Sequence, residues 1–291
     1  MEPHFYLGCP MWGYKAWVGT DFFPAKTPAS DFLHLYSRRL TCVEGNTTFY
    51  ALPSEETVAR WHQETPATFR FCPKVSRDIS HSAPLDAQKS AALHFLERIR
   101  GLGERLGPIF LQLPPSFGPG QLTQLEHFLD FWPQDARLAV EVRHPDFFKA
   151  PHAQPLDELL QRYAVARVIM DTRPIRIGSS SEQQMLQARE RKPNLPVHLA
   201  HTTDFVFVRY IGHPRMEVNT PFLDEWAQQM GAWLKQGTTV YAFCHCPFEE
   251  HSPAICRELY TRIKTYVPLP SLPWETEPSA TETQPTQGRL F

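Results

Sequence analysis

The chain has 291 residues, a formal net charge of −2, 42% hydrophobic and 21% charged residues. This is an ordinary globular composition with ample material for a core. No apolar run approaches the ~18 residues that a membrane helix needs, and a near-neutral chain lacks the basic surplus that bulk phosphate contact requires, so no membrane association and no strong direct nucleic-acid binding are expected.

Eight short apolar runs bounded by turn residues predict strands at 5–9, 42–46, 69–72, 109–113, 138–142, 167–170, 205–210 and 239–243. Helical windows fall between them at 29–39, 54–64, 86–102, 121–131, 156–163, 221–235 and 252–266. Pro53-Ser54-Glu55-Glu56 places a hydroxyl and two acids where a helix start leaves unpaired N–H groups. Ser252-Pro253 reads as an N-cap followed by proline in the first turn. Strands that alternate with helices argue for a parallel sheet, and eight of them in fewer than 270 residues predict a closed (β/α)8 TIM-type barrel over 1–267. The polar stretch within 171–204 breaks the pattern and reads as a long irregular insert or lid. Residues 268–291, rich in Pro, Thr and Glu, read as a disordered tail. The start, MEPHFYLGCP, has an early acid and no basic run. No export signal is therefore expected, and six sparse cysteines read as reduced thiols in a cytoplasmic setting.

A barrel carries its chemistry at the C-terminal ends of its strands. Those ends hold Glu44, Asn46 and Thr48; Lys74, with His81 shortly after; Gln112; Glu141 and Arg143; Asp171 and Arg173; Arg209; and Cys244-His245-Cys246. Charges gathered from seven strands are costly unless paired or used. A purely structural ring of ion pairs, Glu141 with Arg143 and Asp171 with Arg173, would leave the same residues in place. Three functional readings stand beside it. Glu44, Glu141 and Asp171, with His81 or His245, could hold a divalent cation, but no spaced ligand motif appears and several Lys and Arg share the mouth, so a metal is not favoured. Lys74, Arg143, Arg209 and the Gly212-His213 turn could hold an anion. Glu44 or Glu141 as base, with Lys74 or His81 as acid, could act on a small sugar-like substrate. The last two can coexist, and catalytic roles are assigned to Glu44, Lys74, His81, Glu141 and Asp171.

Trp12 and Tyr14 in the first loop, and Tyr50 after the second strand, would stack a sugar or base if exposed; the alternative is a packed plug. Substrate contacts are further expected from Asn46, Thr48, Gln112, Arg143, Arg209, Gly212 and His245. Cys244-His245-Cys246 lacks the second pair that a structural zinc site uses and reads better as buried thiols. No glycine-rich phosphate loop occurs, so a nucleotide cofactor is not expected and the cofactor stays open.

Six ordered motifs are WGYKAWVGTDFFP, CVEGNTTFYALPS, FCPKVSRDISH, FLQLPPSF, EVRHPDFF and VRYIG. Together they resemble the YecE-like family, the domain of unknown function numbered 72. The resemblance covers about residues 5–266 and implies a TIM barrel. It implies little about activity beyond a loose relation to sugar isomerases. Family-typical positions fall on Glu44, Asn46, Thr48, Lys74, His81, Gln112, Glu141, Arg143 and Arg209. Where many members carry Phe-Asn-Asn after the eighth strand, this chain has Phe243-Cys244-His245-Cys246-Pro247. The chain end, Gln287-Gly288-Arg289-Leu290-Phe291, resembles the Q-x-x-L-F peptide by which bacterial replication and repair proteins dock on the DNA sliding clamp. Two functions follow as expectations. One is an enzyme, isomerase- or phosphoesterase-like, acting on a phosphorylated or sugar-containing substrate, nucleic-acid-derived if the tail recruits it to DNA. The other is a non-catalytic module, a DNA-repair candidate tethered to the clamp through Gln287, Leu290 and Phe291.

Overall fold

A computed structural model describes residues 4–82 and 84–276. Eight parallel strands form in the predicted places: β1 Phe5–Gly8, β2 Cys42–Gly45, β3 Arg70–Pro73, β4 Ile109–Gln112, β5 Leu138–Glu141, β6 Ala166–Asp171, β7 Phe205–Ile211 and β8 Thr239–His245. Six of them make one curled sheet in the order β1-β8-β7-β6-β5-β4, and β2 pairs with β3. The architecture is α/β and TIM-like. Single backbone hydrogen bonds join the two sheets: Thr41 N to the Leu7 carbonyl and Glu44 N to the Cys9 carbonyl on one side, Val75 N to the Phe110 carbonyl on the other. Gly8 is required at the first junction, because a Cβ there would lie 2.1 Å from the Cys42 carbonyl oxygen.

Strand alternation sorts the side chains into two shells. Cys42, Cys72, Phe110, Ala139, Val168, Phe207, Tyr241 and Phe243 pack against one another inside the curl. The intervening residues, such as Val43, Phe71, Leu111, Val140, Ile169 and Ala242, face outward into apolar clusters under the helices. All six cysteines are buried free thiols, as the strand reading expects.

The helix Glu55–Glu64 starts as read from sequence, with the Ser54 hydroxyl accepting from Thr57 N. Three expectations need correction. The insert is only partly irregular: two helices form in it, Arg173–Arg176 and Gln183–Arg191, while 192–204 has no regular secondary structure. Arg189 donates to the carbonyls of Ile175, Ile177 and Gly178, and Arg176 to those of Arg189 and Lys192. Buried Met185 then docks on Ile175 and Ile211. A polar helix held by side-chain-to-backbone bonds has too weak an apolar stripe to be read from periodicity. The helix predicted from Pro221 begins at Met216 and runs through that proline to Lys235. The start of the expected tail is packed on the rest of the chain as far as it is described, to residue 276. Leu272 and Trp274 are buried, Trp274 packing on Phe22 at 4.8 Å and beneath the Arg257 guanidinium at 3.6 Å. Tyr260 donates to the Pro270 carbonyl. Tertiary contacts thus order a segment whose composition alone reads as unstructured. Gln287, Leu290 and Phe291 lie outside the described residues. Among the described residues no helix is long and apolar enough to cross a membrane.

Candidate active site at the strand ends

One residue pair beyond the inner apolar layer, the inward side chains become polar. Glu44 follows Cys42, Lys74 follows Cys72, Gln112 follows Phe110, Glu141 follows Ala139, Arg209 follows Phe207 and His245 follows Phe243. All six are buried. They form one hydrogen-bonded arc. His245 Nε2 lies 3.1 Å from Glu44 Oε2. Arg209 donates to both Glu44 oxygens at 2.8 Å and to Glu141 Oε2 at 2.6 Å. Arg143 donates to Glu141 Oε1 at 2.6 Å and to Gln112 Oε1 at 2.8 Å. Lys74 Nζ donates to the same Gln112 oxygen at 3.0 Å. Asn46 adds a bond to Glu44 Oε1 at 2.8 Å.

The arc decides which groups can move protons. Glu44 already accepts from Arg209, Asn46 and His245. Burial works to raise its carboxyl, but Arg209 and then His245 outweigh it and hold the group well below the usual range. Burial likewise opposes ionisation of Glu141, and Arg209 with Arg143 overcomes it, leaving Glu141 at about 2. Carboxylates held this way are poor bases at neutral pH. Because Glu44 can only accept, the His245 proton sits on Nε2. Burial, opposed by Glu44, keeps His245 neutral with a pKa of about 4. Lys74 behaves differently. Burial first, and the Arg209 charge second, bring it down to about 7. Burial also pushes Glu249 up to about 7, although Ser252 donates to it at 2.6 Å.

Above the arc opens a cavity of ≈1050 Å³. Of the expected site residues, Trp12, Glu44, Asn46, Tyr50, Lys74, His81, Gln112, Arg143, Arg209 and His245 line it. Glu141 lies just beneath, under Arg209 and Arg143. Trp12 also packs edge-on to Trp61 at 5.2 Å, whereas Tyr50 is 81% exposed at the rim.

Four expected residues are placed elsewhere. Asp171 points outward, with its oxygens accepting from the Trp226 indole at 2.8 Å and from Arg173. Inward parity on β6 belongs to Ala166 and Val168, so Asp171 falls one residue out of phase. Thr48 is buried with its hydroxyl 2.6 Å from the Lys74 carbonyl oxygen, holding the ends of β2 and β3 together. Tyr14 stands outside the cavity, 3.4 Å from Glu250. Gly212 is packed in: its N–H donates to the His245 carbonyl, and an added Cβ would meet Ile255 at 2.7 Å. The neighbouring His213 N–H is taken by Asn219, so neither backbone N–H of this turn is open to an anion.

The rest of the first-loop aromatics form a plug: Trp17, Phe22 and Phe23 are buried against Tyr36 and one another. Both ion pairs of the structural reading do form, Glu141 with Arg143 and Asp171 with Arg173. The guanidinium of Arg209 occupies the space between Glu44 and Glu141 where a cation would have to sit. Among the described residues no cluster of three or more His, Cys, Asp or Glu is arranged to hold a metal. Cys244 and Cys246 face the outer core while His245 faces the cavity, so the three cannot converge on one ion.

Sequence reasoning missed Arg77, Arg191, Lys192 and Glu249, all of which line the cavity. Lys192 arrives on the end of the insert helix and is brought down to about 8 by burial and then by Arg209. None of Arg77, Arg191 or Lys192 lies within ion-pair distance of a carboxylate among the described residues. No local signal marks Lys192, because the insert folds back over the mouth through contacts distant in sequence.

The model of a family described as a protein of unknown function, DUF72, matches residues 6–278. The chain is 37% identical over 276 residues to the UPF0759 protein YecE of Escherichia coli (strain K12), covering 93% of this chain and 98% of that one. It is 23% identical over 206 residues to the UPF0759 protein YunF of Bacillus subtilis (strain 168), covering 65% and 68%. A crystal structure of a DUF72 family protein from Enterococcus faecalis V583 superposes with a TM-score of 0.65 at 16% identity, covering 92% of this chain and 96% of that one. One from Thermotoga maritima MSB8 gives 0.63 at 20% identity, covering 90% and 98%.

Proposed function

We propose, for a chain that belongs to the DUF72 family of proteins of unknown function, that the strand-end cavity is an active site for acid/base chemistry on a small anionic substrate, phosphorylated or sugar-containing. One observation carries the reading. The cavity is lined by six Lys and Arg side chains, Lys74, Arg77, Arg143, Arg191, Lys192 and Arg209, against two acids, Glu44 and Glu249. Arg209 and Arg143 are neutralised by Glu44 and Glu141. The positive surplus therefore belongs to Lys192, Arg191 and Arg77 at the mouth, where an anionic group would be gripped. Proton transfer falls to Lys74 and Glu249, the two groups brought to about 7 from opposite directions. A neutral His81 assists at the edge, its pKa lowered by burial and by Lys74.

We read the eight strands as one closed ring, supported by the backbone hydrogen bonds at both junctions and by the arc of side chains that spans β8, β2, β7, β5, β4 and the end of β3. Titration calorimetry with inorganic phosphate tests the anion reading. Binding that Lys192→Met weakens at least about tenfold supports it, and absence of any binding to phosphate or sugar phosphates removes it. The second reading, a module tethered to the sliding clamp, rests on Gln287, Leu290 and Phe291. Deleting 287–291 abolishes retention on immobilised clamp if that reading holds; full-length protein that is not retained rules it out.

A further inference from the structure

Lys74 is an unusual lysine. It is 7% exposed and opens into the cavity. Its Nζ donates a hydrogen bond to the neutral side chain of Gln112. No carboxylate lies within ion-pair distance of it among the described residues. Aromatic rings cover two sides, Phe49 at 3.9 Å and Phe110 at 5.6 Å from ring centre to Nζ. Arg209 and Arg143 repel its charge while Glu141 and Glu44, already shared with those arginines, attract it only partly. A lysine that is desolvated, beside other cations and without its own counter-ion presents a neutral amine, and a neutral amine is a nucleophile toward carbonyl carbon.

We propose that Lys74 is a covalent catalyst: its amine attacks the carbonyl carbon of a phosphate-bearing aldehyde or ketone seated in the cavity and forms an imine. The inference rests on the anionic-substrate reading above for the phosphate and on the Lys74 surroundings for the covalent step. As the C–N bond forms, the carbonyl π bond breaks onto oxygen, which takes a proton. The carbinolamine then loses that oxygen as water, both amine hydrogens leave with it, and no oxidant or reductant is consumed. His81, which lines the same cavity, would carry the protons. Ser80 donates its own hydrogen to the Ser76 carbonyl, so neutral His81 carries its proton on Nδ1, 2.8 Å from Ser80 Oγ, and has a free lone pair on Nε2. Phe49 contacts both the His81 ring and Lys74 Nζ.

Trapping tests the proposal. Full-length protein is mixed at pH 7 with pyridoxal 5′-phosphate, reduced with sodium borohydride and mapped by peptide mass spectrometry. At that pH a lysine with a pKa of about 7 has on the order of a thousandfold more neutral amine than an ordinary one. Lys74 is therefore expected to label at least about tenfold faster than exposed Lys15 or Lys26, and the Lys74→Arg variant to lose that label while keeping its fold by circular dichroism. Label on the exposed lysines with none on Lys74 overturns the proposal. Pyridoxal without phosphate separates the two premises. If it labels Lys74 equally fast, the anionic-substrate reading falls and the nucleophile stands. If inorganic phosphate binds and Lys192→Met weakens it, yet Lys74 is never trapped, the imine falls and the anion site stands. An oligonucleotide carrying an abasic sugar distinguishes the source of the carbonyl. A borohydride cross-link that Lys74→Arg abolishes supports an aldehyde borne on nucleic acid; label from pyridoxal phosphate alone supports a small-molecule one.

Discussion

Arg209 grips both carboxylate oxygens of Glu44 at 2.8 Å, across 165 residues of chain and between β7 and β2, which belong to different sheets. Its third nitrogen reaches Glu141 at 2.6 Å. One buried guanidinium thus satisfies two buried carboxylates, and its removal leaves both charges without their main partner. Breaking such a buried network costs about 3–5 kcal/mol. Arg209→Met is expected to lose stability on that scale in urea unfolding, and Arg209→Lys to recover only part of it, because an ammonium cannot reproduce the planar fork. Unchanged stability in both variants would show the network to be energetically idle.

Lys74 destabilises the fold that carries it. Its pKa falls from 10.5 to about 7 on folding, so the native state binds fewer protons than the unfolded chain between those values. The penalty is full below about pH 7 and is relieved as pH rises toward 10.5. Lys74→Met is accordingly expected to be more stable than the parent at pH 6, by a few kcal/mol at most, with the gain shrinking at pH 10. A gain independent of pH would point to packing rather than charge.

The carboxylates set the acid limit. Glu141 is depressed from 4.5 to about 2 and Glu44 is depressed in the same direction. Their contribution is present above pH 4.5 and is lost as pH drops from there through about 2. Parent protein should lose stability steeply over that window. Glu141→Gln, less stable at pH 7, should show a shallower decline in the same thermal melts.

Asp171 and Lys192 separate structure from ligand contact. Asp171→Asn weakens acceptance from the Trp226 indole and the Arg173 guanidinium, so it should lower stability by about 1–3 kcal/mol and leave phosphate affinity unchanged. Lys192→Met should do the reverse. Equal effects of the two substitutions on phosphate binding would mean that the cavity is not the anion site.

Leu272 and Trp274 tie the described chain end to the core. Truncation after residue 276 should leave the melting temperature unchanged, whereas truncation after residue 267 removes Leu272 and Trp274 from the core and should lower it. Trp274→Ala alone should cost about 3 kcal/mol. Equal melting of the two truncations would place the boundary at residue 268.

Much of this protein is written locally. Short apolar runs between turn residues place all eight strands, because a buried strand is apolar on both faces whatever it pairs with. The two-residue step from Cys42 to Glu44, from Phe110 to Gln112 and from Ala139 to Glu141 marks where the interior turns polar, since strand period alone keeps those pairs on one side. Asp171 shows the limit of that rule: the phase of β6 is set by which residues its neighbours bury, and a one-residue difference sends a carboxylate to the opposite face. Tertiary structure alone decided that Arg209 would hold Glu44 and Glu141, so that carboxylates which look like bases are spent as ion-pair partners. It also carried Lys192 over the mouth and left Lys74 with no carboxylate at ion-pair distance among the described residues. Charge type is local, but proton affinity depends on burial and on the sum of neighbouring charges, and those neighbours meet only when distant strands are brought around one opening.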